Sequence, residues 1–381
     1  MVSRPVYYVT AVLCVLAAAP AHAQLFSSGG LDPSFCKTKP VRQTVVYVDD
    51  MLMIDQKTDW AQKLIGKLKA SLSPGERTTV VQLSPAGGAS AEIWSGCWPA
   101  FTPEQRAEVV KGGPYILQKN PLAGLEQQQG FFARDFVAAV SKIYFASKRP
   151  LSAVTIAADR APKKQILRAL ASDEGRFSNS MVTVRAIVYS DMAENSDLGS
   201  VFKPLPDKPV NYAEKLGTHL RKSVFYVFGV GEDVTGQQSM QESAKRFWTS
   251  ALRMMSATVG GFGADLNVPN GIPVKSWLYV LTLKLGDQDV DGKLSVLTDG
   301  DGNIVDSWLG FNRLNITGIT GSFRCTSGGC KLDGVTTGSL ATTSDTEAVL
   351  LSGKPQMLSG ELGVKGTKNM FPLTAIQPNN P

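Results

Sequence analysis

Aspartate ends two runs of β-branched and aromatic residues: Val45-Val46-Tyr47-Val48-Asp49-Asp50 and Ala186-Ile187-Val188-Tyr189-Ser190-Asp191. Strands buried on both faces of a parallel sheet read as continuous apolar runs. Open α/β sheets carry their functional groups beyond the carboxyl ends of such strands. Asp49, Asp50, Ser190 and Asp191 are therefore expected on one sheet edge. Carboxylates there can hold a hard divalent cation such as Mg²⁺ or accept hydrogen bonds from a partner protein. The bland alternative is that Asp49 and Asp191 cap helix N-termini, where carboxylates satisfy free N–H groups.

A second acidic group, Asp287-Gln288-Asp289-Val290-Asp291-Gly292, matches the opening of a calcium loop, with alternating carboxylates ahead of a turning glycine. The twelfth position is Thr298 where a bidentate Glu is expected, so a solvated β-turn competes with Ca²⁺ binding. Asp299-Gly300-Asp301-Gly302 reads as another such turn. Enzyme chemistry has a narrower footing. A metal-assisted hydrolase would use Asp49, Asp50 and Asp191, but a D-x-D nucleophile motif fails at Met51. His219 is the one histidine left after the export signal, expected on a helix over residues 212–220, and no G-x-S-x-G elbow follows a strand to serve it. No catalytic residue is assigned, and no cofactor beyond Mg²⁺ or Ca²⁺ at these acidic groups.

The first residues read as an export signal. Arg4 precedes an apolar stretch over residues 6–19, and Ala21-His22-Ala23 forms an A-x-A cleavage site. The expected location is periplasmic or secreted, with no membrane span after cleavage. Cys14 leaves with the signal, so Cys36, Cys97, Cys325 and Cys330 remain, an even number for an oxidising compartment. Three pairings are open. Cys325 and Cys330 flank the turn-forming Thr326-Ser327-Gly328-Gly329, which leaves Cys36 for Cys97. The net charge of +6 is mild and its Lys and Arg are scattered, so no nucleic-acid partner is inferred.

These groups need elements to position them. A chain of 381 residues suits two domains. Strands are expected over residues 44–49, 78–83, 91–97, 152–157, 181–189 and 223–229. Helices are expected over 58–72, 103–110, 122–145, 162–171 and 240–255. Only Ser84-Pro85-Ala86-Gly87-Gly88 separates the second and third strands, too short for a helical crossover, so they form a hairpin. Elsewhere strand and helix alternate, which predicts an α/β, doubly wound, mostly parallel sheet. The helical period disappears from residue 275. Short alternating runs follow, with a recurring polar-Gly-polar-apolar unit at Asp291, Thr320, Thr337 and Ser359 that reads as a strand entered from a glycine turn. This predicts a smaller, meandering all-β domain.

The α/β region resembles a von Willebrand factor A-like domain. The resemblance rests on an Asp-ended first strand, the amphipathic helix after it, the hairpin pair, and a later strand ending in Ser190-Asp191. Family members bind a metal ion through a D-x-S-x-S loop, a distant Thr and an Asp, and a partner's carboxylate completes the site. Asp49 matches the first position and Asp191 the last. Met51 and Met53 replace the serines, with Asp50 or Asp55 as partial compensation, so the implied metal-ion-dependent adhesion site is degenerate. The expected order is a signal peptide over 1–23, an irregular segment over 24–43, the α/β domain over 44–259, a linker over 260–274 and the all-β domain over 275–381. The implied role is non-enzymatic: binding or scaffolding in the cell envelope through the carboxyl edge of the sheet, with the oligomeric state open.

Overall fold

The computed structural model describes residues 29–51, 59–111, 122, 124–146, 163–180, 182–204, 210–230, 238–312, 314–340, 346–364, 366–367 and 369–378. The export signal, Met53, Asp55 and the strand expected over 152–157 lie outside the described residues. Strands β1 (Arg42–Asp49), β2 (Arg77–Ser84), β3 (Ala89–Cys97), β4 (Thr183–Tyr189), β5 (Ser223–Phe228) and β6 (Thr258–Phe262) form one sheet in the order β3-β2-β1-β4-β5-β6. All neighbours are parallel except β2 and β3, which form an antiparallel hairpin. The order reverses between β1 and β4, which opens a crevice at the carboxyl ends of those two strands.

Alternation along β1 sends its side chains to two separate cores. Val45 and Tyr47 join the side covered by α4 (Ile166–Ala171), α5 (Glu174–Ser178), α6 (Tyr212–Leu216) and α7 (Gln238–Met254), where Phe247, Trp248 and Leu252 are buried. Val46 and Val48 join the side covered by α1 (Asp59–Lys69) and α3 (Leu125–Ala146), with Leu64, Leu68, Phe132 and Phe136. A further helix, α2 (Pro103–Lys111), buries none of its residues. Burial on both faces is why β1, β4 and β5 carry almost unbroken apolar runs.

The second sheet contains β7 (Lys275–Leu285), β8 (Gln288–Thr298), β9 (Ile304–Phe311), β10 (Ile319–Thr326), β11 (Gly329–Thr336), β12 (Ala348–Lys354), β13 (Met357–Gly363) and β14 (Met370–Ile376). Each pairs antiparallel with the next except across the β9–β10 seam, and β14 returns to β7. Bridges at Asn303–Ser322 and Leu309–Thr317 close the seam. There the Ser307 hydroxyl donates to the Ile319 carbonyl and accepts from its N–H. The meander is thus an up-and-down barrel whose interior is filled by Tyr279, Leu281, Leu294, Leu309, Phe323, Leu332 and their neighbours.

Three sequence expectations change. Gly260 and Gly261, read as opening a linker, lie inside β6. A Cβ on Gly260 would sit 2.5 Å from the Tyr226 ring, so glycine is there for close approach. The recurring glycines of the barrel also lie within strands in three of the four units, at Gly292, Gly321 and Gly360. A Cβ on Gly360 would run into the Leu350 carbonyl. The helix carrying His219 ends at Leu216, capped by left-handed Gly217, so His219 follows it.

Candidate functional site

Asp49 and Asp191 leave neighbouring strands at the crevice, and a third side chain joins them. Lys164 Nζ donates to Asp49 Oδ2 at 3.2 Å and to Asp191 Oδ1 and Oδ2 at 2.8 and 2.7 Å. Ser190 Oγ donates to Asp49 Oδ2 at 2.7 Å. Among the described residues, neither aspartate caps a helix. Asp49 Oδ1 accepts from the Met51 N–H at 2.8 Å and Asp191 Oδ1 from the Ala193 N–H at 2.9 Å, so each closes a tight turn of its own loop. Burial alone would pull the Lys164 ammonium down, but Asp191 and Asp49 outweigh it and hold it above the ordinary lysine range. Burial and the charge of Asp191 push the Asp49 carboxyl up, against the pull of Lys164.

The backbone fixes this lysine as firmly as its ammonium does. Lys164 N–H donates to the Asn195 carbonyl at 3.1 Å and its carbonyl accepts from Asn195 at 2.9 Å. The next residue, Gln165, donates to the Pro85 carbonyl at 2.9 Å. Lys164 therefore enters between the β2–β3 turn and the loop after β4. That loop is braced in turn by Glu194, which accepts from the Leu167 N–H at 3.0 Å and from the Ser196 hydroxyl. Burial pushes the Glu194 carboxyl up to about 7.

Of the four residues expected at the binding edge, Asp49 and Ser190 are fully covered and Asp191 is 4% exposed. Asp50 is half-buried, and its Oδ2 accepts from Gln82 Nε2 at 2.9 Å and Ser84 Oγ at 2.6 Å. A metal-bound or nucleophilic carboxylate needs a lone pair directed at an open position. Asp49 and Asp191 spend both oxygens on Lys164, Ser190 and the turn N–H groups.

The residues present do not fit the divalent ion that the family resemblance implies. An ammonium stands between the two carboxylates, and buried Met51 supplies a soft thioether where a hydroxyl would be needed. Among the described residues, no group of three or more His, Cys, Asp or Glu side chains gathers to hold a metal. Asp287, Asp289 and Asp291 do not converge either. Asp287 lies in the β7–β8 turn and the other two on β8, opposite Lys284 and Thr282, all three exposed. An extended strand spreads same-face residues to about 6–7 Å, too far to wrap one ion. The Asp299 carboxylate instead binds the N–H groups of Asp301 and Asn303 in its own turn.

A second polar cluster lies at the opposite end of β1. Arg42 binds Glu76 Oε1 through Nε at 3.0 Å and the Ser71 carbonyl through Nη2 at 2.6 Å, and its Nη1 pairs with Asp306 of β9. Arg185 reaches Thr44 Oγ1 and Ser71 Oγ, each at 2.9 Å, and Glu76 Oε1 at 3.4 Å. Tyr226 donates to Asp306 Oδ1 at 2.7 Å. Burial works against the Glu76 charge, but Arg42 and Arg185 keep its carboxyl below the usual range. Burial and repulsion from Arg42 push Arg185 down to about 10. This cluster docks the barrel on the α/β domain, with help from Thr183–Ser295 at 2.9 Å and Trp308 Nε1 to the Ser256 carbonyl at 2.9 Å.

At that same end, Cys36 is bonded to Cys97, and Cys325 is bonded to Cys330 across the β10–β11 hairpin. A cleft of about 400 Å³ beside the first bridge is lined by Asp32, Phe35, Thr38, Phe101, Gln105 and Gln128, far from the aspartates.

Sequence reasoning missed Lys164, Glu76 and Asp306. Arg185 carried a signal, because a charge inside a strand buried on both faces requires an opposite charge nearby.

No protein-family model matches the chain, and no curated protein matches it. Among solved structures it is similar to the ArnB paralog VWA2 from Sulfolobus acidocaldarius, at 11% identity and a TM-score of 0.33. That match covers 83% of this chain and 66% of the other. It is also similar to the human COPII-coat protein Sec24c, at 6% identity and a TM-score of 0.29, over 89% of this chain and 44% of that one. The chain thus spans just under two thirds of the first and less than half of the second. Strand order and pairing define the class here: a doubly wound, mostly parallel α/β domain followed by an antiparallel barrel.

Proposed function

We propose that this chain is an exported, non-enzymatic binding or scaffolding protein of a periplasmic or cell-surface assembly. It contacts a protein partner through the loops at the carboxyl edge of the α/β sheet. One observation carries the reading: among the described residues, the charged groups of that edge satisfy one another beneath the surface and so shape a platform. Asp50 and the exposed Ala86 of the β2–β3 turn stand at its rim. The two disulfides are compatible with an extracellular or periplasmic location, and among the described residues no helix is long and apolar enough to cross a membrane.

A photo-crosslinking side chain at Ala86 in the producing cells tests this, with one at the exposed Val335 of β11 as the control. A discrete protein adduct is expected from position 86, weakened by Asp50→Ala and absent from position 335. Adducts from position 335 alone would move the contact to the barrel.

A further inference from the structure

We infer that Lys164 is the resident cation of the carboxyl edge: its ammonium stands where the fold's divalent ion would, so this edge works without metal and cannot recognise a partner's carboxylate through a shared ion. Four observations meet here. Lys164 Nζ lies 2.7–3.2 Å from three carboxylate oxygens contributed by β1 and by the residue after β4. Ser190, the hydroxyl of the group, donates to Asp49 instead of turning toward a cation. The lysine is 3% exposed and its backbone is paired on both sides with Asn195. Met51, the motif position where the resemblance implies a hydroxyl ligand, carries a thioether and is buried.

The donor inventory of lysine makes the second half of the statement. An ammonium has three N–H groups and no acceptor. Two oxygens of Asp191 and one of Asp49 take them, so none remains for an incoming acid. A divalent ion in the same place would keep an open coordination position and exchange with solvent. The lysine is tethered, permanently present and saturated. This deepens the proposed reading of the edge and rests on it only for the word partner; the experiment uses no partner, so the two fail separately.

The test uses the exported full chain, Mn²⁺ as the probe and three proteins: wild type, Lys164→Ser, and Lys164→Ser combined with Asp191→Asn. Electron paramagnetic resonance measures free Mn²⁺, and thermal melts are run with the ion and with chelator. Wild type is expected to leave the Mn²⁺ signal intact and to melt at the same temperature in both. Lys164→Ser vacates the position and adds a hydroxyl, so it is expected to take up one Mn²⁺. A site of about 1 mM dissociation constant would shift its folding equilibrium roughly tenfold at ~10 mM ion. The double variant is expected to lose that gain. Should Lys164→Ser not fold alone, refolding in ~10 mM Mn²⁺ is expected to recover it. Uptake of Mn²⁺ by wild type overturns the inference, as does a serine variant that neither binds the ion nor refolds with it.

Discussion

The two ends of β1 hold buried charge in different ways. At the carboxyl end one ammonium is shared by two carboxylates, and every partner belongs to the α/β domain. At the amino end two guanidinium groups meet Glu76 and Asp306, and Asp306 comes from the barrel. Arginine offers five donors in a planar fork, so Arg42 spans Glu76, Asp306 and the Ser71 carbonyl at once. Lysine offers a compact charge on a flexible stem, which suits the place of an ion. The comparison separates two uses of a buried pair. One locks two domains together, and the other sets the shape of loops at a surface.

The sharpest way to break this comparison is to remove the charge that crosses between domains. Asp306→Ala strands Arg42 and Arg185 against Glu76 alone and takes the acceptor from Tyr226. Losing one partner of a buried ion pair costs up to about 5 kcal/mol. Urea unfolding is expected to show a loss of that order. A change below about 1 kcal/mol would mean that the barrel rests on the α/β domain through Thr183–Ser295 and Trp308 without needing the charges.

The amino end is also the covalently tied end. Replacing Cys36 and Cys97 together by serine opens a loop with a sequence separation of 61, worth about 4 kcal/mol in the chain-entropy account. Opening Cys325–Cys330, with a separation of 5, is expected to lower stability by about 2 kcal/mol on the same account. Denaturant midpoints of the two double variants order the effects. The reverse order would place the main stabilising tie in the barrel.

Much of the α/β sheet was legible because its physics is local. Burial on both faces writes an apolar run into β1, β4 and β5, and a five-residue connection forbids a crossover between β2 and β3. The two aspartates were legible as a pair because parallel strands send their ends to one edge. Lys164 was not. It follows Lys163, and two adjacent lysines read as a solvated pair, yet one is exposed and the other buried. Only the tertiary path through the Pro85 and Asn195 contacts decides which. Asp306 was hidden in the alternation of β9, where a polar residue signals an outer face. The barrel's closure was hidden because its seam has two isolated bridges and a serine hydroxyl instead of a ladder.

A last expected effect separates the two ends by pH. Glu194, beside the Lys164 loop, is pushed up to about 7 mainly by burial, with Ser196, the backbone of Leu167 and Ile166, and Arg168 pulling the other way. An unfolded glutamate titrates near 4.3. Between those values the folded protein keeps a proton that the unfolded chain has released, so stability is highest below about pH 4 and falls as pH rises toward 7. Above 7 the deficit is constant. Glu194→Gln holds the neutral form at every pH and keeps an oxygen for the Leu167 N–H. It is therefore expected to gain on wild type by about 3 kcal/mol between pH 4.5 and pH 8. Denaturant melts at the two pH values measure that gain, and taking the difference from wild type subtracts the groups common to both proteins. A gap that stays the same at both values would show that the Glu194 carboxylate is as comfortable in the fold as in water. The loop after β4 would then carry no pH dependence of its own.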